Sequence, residues 1–238
     1  MTISIISGFF NSTILSSFVF LIAVCVLVYF TAKSIRKDYK RFIVIVTAIL
    51  LAWFFAVFIL SQLQFFSKNP LFIPNILVGF LVLFELLRRV YSSQSIQKLA
   101  DSFPQHWLIL IQTYRIVGVG FLILYAQGIL PAEFAFPSGI GDIFVGISAP
   151  FVAYLYYRKK PYAKKLAIIW NIVGILDLIV ALGVGFIGFP RPVQFVTLHT
   201  STEPLSLFPL AIITLFAVPL AILMHSLSLR TIKKPLAN

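Results

Sequence analysis

Charge is scarce in this 238-residue chain. Asp, Glu, Lys and Arg together make up 11% of it, and only seven residues are acidic. An ordinary soluble domain is about one quarter charged. Hydrophobic residues account for 60%, and the mean hydropathy is +1.01. A soluble fold of this length could not cover so much apolar surface, which leaves the membrane class. Cysteine is nearly absent too. Cys25 stands alone inside an apolar run, so no internal disulfide can form. No Lys or Arg precedes Lys33, so the basic start of a cleaved signal peptide is missing and the first apolar run reads as a retained span. Asn11-Ser12-Thr13 has the form of a glycosylation acceptor, a triplet common by chance.

What is present is a series of apolar runs. A spanning helix needs about 20 mostly apolar residues. Seven runs qualify, roughly Thr13–Phe30, Phe42–Leu63, Leu71–Leu87, His106–Gly128, Ser138–Tyr157, Leu166–Phe186 and Leu207–His225. The connections are short, so the expectation is one all-α domain over residues 1–238, a polytopic bundle of seven transmembrane helices. The net charge of +12 does not point to nucleic acid, because the basic residues alternate between connections. Lys33, Arg36, Lys37, Lys40 and Arg41 follow the first run. Arg88, Arg89 and Lys98 follow the third, and Arg158, Lys159, Lys160, Lys164 and Lys165 the fifth. Arg230, Lys233 and Lys234 follow the seventh. The opposite connections hold only Lys68 and Arg191. The positive-inside rule then places the N-terminus outside and the C-terminus in the cytoplasm. The expected partners are the lipid bilayer, with anionic lipids at the cytoplasmic face, and a small solute or ion. Tyr39, Tyr156, Tyr157 and Tyr162 fall where interfacial aromatics belong.

Two charges lie deep in the runs. Arg115 is nine residues into the fourth run and Asp177 eleven into the sixth, about 13 and 16 Å from the cytoplasmic edge. An Arg at the centre of a spanning helix costs about 2.5–3.5 kcal/mol and calls for a partner. Gln112 shares a face with Arg115, and Asn171 and Gly174 share one with Asp177. The pair Arg115–Asp177 is therefore expected to meet, either as a site for a proton, ion or solute or as a structural lock between helices. Asp142 reads as an acid in the first turn of the fifth run, with Ser138 as N-cap after Pro137, about 10 Å nearer the outer surface, from where it could still join the pair through water as a three-residue network. Glu133 would join it at an outer mouth. Gly139, Gly146 and Ala149 form a stripe suited to helix packing. Glu85 should pair locally with Arg88 and Arg89. His106 and His225 read as interfacial residues near the cytoplasmic edge, and His199 and Glu203 as a solvated loop pair. None of these makes a metal site, and no cofactor or catalytic residue is assigned.

The topology is that of rhodopsins and G-protein-coupled receptors, but the seventh run has no lysine for retinal, and the receptor motifs at the ends of the third and seventh runs are missing. Gln112-x-x-Arg115, then Leu130-Pro131, then Phe136-Pro137-Ser138-Gly139-Ile140-Gly141-Asp142 resembles a group of small bacterial multi-pass integral membrane proteins of unknown function, over roughly residues 105–157. The resemblance implies a bacterial inner membrane and no activity. The functional expectation is a carrier or permeation pathway for a small solute or ion. Gln112, Arg115, Asn171 and Asp177 would form its centre, with Glu133 and Asp142 towards the outside. The alternative is a membrane sensor or assembly partner whose buried charges are structural. An intramembrane enzyme ranks behind both.

Overall fold

The computed structural model describes residues 2–35, 39–68, 72–189 and 200–232. Every regular element among the described residues is helical. In chain order they are α1 (Thr2–Ile35), α2 (Tyr39–Gln62), α3 (Phe65–Lys68), α4 (Phe72–Ser92), α5 (Gln94–Ala100), α6 (Gln105–Leu110), a 3₁₀ segment (Ile111–Gly118), α7 (Val119–Ala126), α8 (Ala132–Tyr157) and α9 (Ala163–Ile187). A 3₁₀ turn (Glu203–Ser206), α10 (Leu210–Ile212), a π segment (Ile213–Ala217) and α11 (Val218–Ile232) complete the described elements. Of the sequence motifs, Arg36, Lys37, Pro70, Arg191, His199, Lys233 and Lys234 lie outside the described residues.

Among the described residues, six stretches are long and apolar enough to cross a membrane: Ser17–Ser34, Lys40–Gln62, Gln105–Ala126, Ala132–Tyr157, Ala163–Ile187 and Leu210–Ile232. Alpha-helix α4 corresponds to the third apolar run but is not among the six. Its last two turns carry Glu85, Arg88 and Arg89, and the expected local pairs form there, at 2.7 Å to Arg88 and 2.6 Å to Arg89. The chain is thus a helical membrane protein with six clear candidate spans.

The last stretch in sequence is the first in burial. In Leu210–Ile232, 78% of the apolar stretch is buried, against 22–44% in the other five. Its upper part packs on α1, α2 and α4, and α11 packs on α6 and α9. Phe216 sits edge-on to both Trp53 and Phe54 of α2. Pro219 has no N–H for the carbonyl one turn back, and the backbone widens into the π segment just before it. The sequence places the end of this run at His225, where Ser226, Ser228, Arg230 and Thr231 lower the hydropathy. The helix in fact continues to Ile232. Ser226 and Thr231 donate to carbonyls four residues back, and Arg230 bonds Asp101 at 2.9 Å, so the polar residues do not end the helix.

The start of α8 also departs from expectation. Gly128 takes a left-handed φ of 70° and Pro131 precedes the first turn, as the sequence implies. Pro137, however, lies inside the helix, and Ser138 is not its cap. The helix starts at Ala132 because Phe134 and Ala135 of its first turn are drawn into a cluster with Phe121, Leu130 and Leu205. A proline inside a spanning helix is tolerated where neighbours cover the freed backbone. Ser138 is 1% exposed, and its hydroxyl has no partner among the described residues. Ser138→Ala should leave the melting temperature unchanged or raise it, by up to about 1 kcal/mol of stability, since it removes an unpaired buried hydroxyl. A loss of about 1 kcal/mol in a thermal melt would restore the capping role.

Candidate functional site

The stretch Gln105–Ala126 corresponds to the fourth apolar run of the sequence, and this fourth stretch is not a uniform α-helix. Its middle, Ile111–Gly118, is 3₁₀. Thr113 turns its hydroxyl onto the Leu110 carbonyl, three residues back, at 2.7 Å. With three residues per turn, positions three apart eclipse one another. Gln112, Arg115 and Gly118 therefore stand in one straight row, and these three are the buried residues of the segment. An α-helix would swing the row sideways at each step.

Arg115 is 1% exposed and bonded along its whole guanidinium. Nε donates to Asp142 Oδ1 of α8 at 2.6 Å. Nη2 donates to Asp177 Oδ2 of α9. Nη1 donates to the Gly174 carbonyl at 3.2 Å and faces His225 Nε2 of α11 at 3.3 Å. His225 Nδ1 meets Asn171 Oδ1 at 2.9 Å, and Asn171 Nδ2 donates to the Ala167 carbonyl at 2.7 Å. One cation thus joins four elements through two acids and a histidine.

Three glycines make the room. A methyl on Gly118 would overlap Asp142, one on Gly141 would overlap Asp177, and one on Gly174 would press on the His225 ring at 2.5–2.6 Å. Gly139 and Gly146 let α8 close onto the fourth stretch, against Leu122 and the Ile116 backbone. The glycine stripe expected from the sequence is a packing face, as anticipated.

Of the six residues named from the sequence, five converge here or beside it. Arg115, Asp142, Asp177 and Asn171 form one network. Gln112 is one turn away and donates to the Ala221 carbonyl at 3.2 Å, while its Oε1 has no partner among the described residues. Glu133 stands apart, exposed in the first turn of α8. Asp142 was expected near the outer surface. Because α8 starts at Ala132 rather than Ser138, Asp142 lies ten residues in, about 15 Å along the axis, at the level of Arg115. His225 was expected at the cytoplasmic edge and is instead fully buried at the centre, since α11 runs on for seven residues beyond it. His106 remains half-buried, its ring edge-on to Tyr157 at 5.2 Å. The signal that could have located His225 is its spacing from Ala221 and Ala217. All three lie on the face that meets the fourth stretch, where Tyr114 donates to the Ala217 carbonyl at 3.2 Å.

Breaking a buried ion pair leaves a charge without its counter-charge and costs about 3–5 kcal/mol. Arg115→Gln should cost at least that, because Asp142 and Asp177 then lose the one counter-charge they share. Adding Asp142→Asn and Asp177→Asn to it should recover part of the loss. Thermal melts of the single and triple variants in detergent check this, and equal losses in both would show that the charges do not depend on one another.

No curated protein and no solved structure matches the chain. A family model does match, over residues 71–233, a range that holds Arg115, Asp142, Asp177 and His225 together with the whole of residues 105–157. The chain therefore belongs to the family described as a domain of unknown function, DUF8737.

Proposed function

We propose that the protein is a carrier or permeation pathway for a small solute or ion, with Arg115, Asp142 and Asp177 as its centre and Gln112, Asn171 and His225 in support. The observation that carries this reading is the charged network at mid-depth in an otherwise apolar bundle. Ionisable groups there are expensive and mark ion or solute pathways by default. Two irregular backbone segments, the 3₁₀ stretch at Ile111–Gly118 and the π segment at Ile213–Ala217, adjoin it and touch through Tyr114. Broken helices of this kind adjoin the binding centres of many transporters. Glu133, exposed at the far end of α8, would face the outer mouth.

A structural role for the charges, in a sensor or assembly partner, is favoured by one fact. Every nitrogen of the Arg115 guanidinium already has a partner. A thermal-shift screen of the purified protein against small anions, metal ions and metabolites separates the two. Under the carrier reading, at least one compound should stabilise the native chain and not the Arg115→Gln, Asp142→Asn, Asp177→Asn triple variant. At 100 times its Kd such a compound adds about 2.7 kcal/mol. Equal responses from both proteins throughout the screen would favour the structural role.

We further propose seven spans, with α4 as the third, the N-terminus outside and the C-terminus cytoplasmic, in a bacterial inner membrane whose anionic lipids face the basic clusters. Support comes from Arg230, which bonds Asp101 and lies 5.5 Å from the Tyr91 ring centre. That contact gathers the ends of α4, α5 and α11 at one side, with Arg88, Arg89 and Lys98. A reporter fused after Asn238 should be active only in its cytoplasmic form. Activity of an outside-only reporter there would reverse the orientation.

A further inference from the structure

The hydrogen-bond directions in the central network determine where protons can sit. The Ala167 carbonyl can only accept, so the Asn171 amide turns its NH₂ there and its oxygen to His225. His225 Nδ1 must then carry the hydrogen. On the other side, Arg115 Nη1 can only donate, so His225 Nε2 must accept from it. The imidazole is thus the neutral Nδ1–H form. A second proton, on Nε2, would set donor against donor and cation against cation. His225 is a positioning residue, and the network's exchangeable proton is not on it.

The charges do not balance without one more positive charge. The guanidinium supplies one, and the two carboxylates supply two negatives. Other titratable groups described on the surrounding elements do not help. On α1, which packs on the 3₁₀ segment, Lys33 lies in the last turn, over the Tyr29 ring at 5.8 Å. Tyr114 donates its hydroxyl to the Ala217 carbonyl. On α6, the His106 ring lies edge-on to Tyr157. On α8, Glu133 is exposed in the first turn, and on α9, Lys164 and Lys165 lie in the first turn, a dozen residues from Asp177. On α11, Arg230 is bonded to Asp101. A net negative charge in the apolar interior is costly, so a cation or a proton must offset it.

Space decides between them. Each carboxylate uses one oxygen on Arg115 and turns the other to a glycine. Asp142 Oδ2 lies 3.1 Å from where a Gly118 methyl would stand, and Asp177 Oδ1 lies against Gly141. A metal or ammonium ion needs its own volume and several ligands. A proton needs neither.

We propose that the ligand of this centre is a proton, and that Asp142 and Asp177 together hold one, exchangeable, with Arg115 as permanent counter-charge and His225 locked in its neutral form. Both side chains are 13% exposed, whereas Arg115 is 1% exposed, so the carboxyls are the members open to exchange. That this proton is also carried across the bilayer rests on the carrier reading above.

Infrared spectroscopy of the purified full chain at neutral pH tests the occupancy. The C=O stretch of a protonated carboxylic acid, shifted in D₂O, should be present at one per chain. It should be lost in the Asp142→Asn, Asp177→Asn double variant and kept in Glu203→Gln. Should the double variant fail to fold, aspartate labelled with ¹³C at the carboxyl gives the same reading in the native sequence, where the chain holds only Asp38, Asp101, Asp142 and Asp177. In parallel, ¹⁵N NMR should show His225 protonated at Nδ1 and bare at Nε2. Absence of a protonated aspartate, or an imidazolium signal from His225, would overturn the proposal whatever the transport assays show. Proton flux in vesicles of the purified protein is a separate reading: a protonated aspartate with no flux keeps the proton site and rejects the carrier.

Discussion

The bundle turns on the guanidinium of Arg115. Burying it costs free energy, and no single carboxylate can use all its donors. Asp142, Asp177, the Gly174 carbonyl and His225 share them between three further helices. Each contact fixes a rotation and a depth. The fourth stretch must present Arg115 inward, α8 and α9 must bring their acids to the same level, and α11 must place His225 opposite. Hydrophobic packing in a bilayer carries little such information, because lipid tails are as apolar as the helix faces. Polar bonds and small residues set the register instead.

The backbone bends to serve that network. An eight-residue 3₁₀ segment is long for its type, and it keeps Gln112, Arg115 and Gly118 in line. The last span widens into a π segment where Tyr114 reaches Ala217, and it exposes carbonyls to side chains of the fourth stretch at Ala217 and Ala221. Gln105 adds a 2.5 Å contact to Ser228 further along the same seam. The two elements run antiparallel along this row of polar contacts. Glycines at 118, 141 and 174 let the acids and the histidine lie close against neighbouring backbone. Irregular helix, glycine and charge thus coincide at one depth.

Much of this was legible beforehand, and the residues that were not share a cause. Arg115 and Asp177 could be matched in depth by counting, because the starts of their helices are marked by clear changes in composition. Asp142 was misplaced because Pro137-Ser138 has the local chemistry of a helix start. The start moved to Ala132 when burial of Phe134 and Ala135 outweighed that signal. His225 was misplaced because hydropathy falls after it, although serine and threonine hydroxyls can bond back to helix carbonyls and let α11 continue. In both cases a local rule was overridden, at the start of α8 by contacts with residues far away in the chain, and at the end of α11 by bonds within the helix and by the bond of Arg230 to Asp101.

Sequence by itself determined the class of protein, the rough limits of the six apolar stretches that the helices follow and the need of Arg115 for an acidic partner. Those properties depend on composition and on distance along one helix, which a linear string contains. Tertiary structure decided that the partner is a pair of acids rather than one, that His225 closes the network, and that the last helix is the central one. Those depend on which faces meet and at what height, and such geometry arises only when separate helices pack against one another.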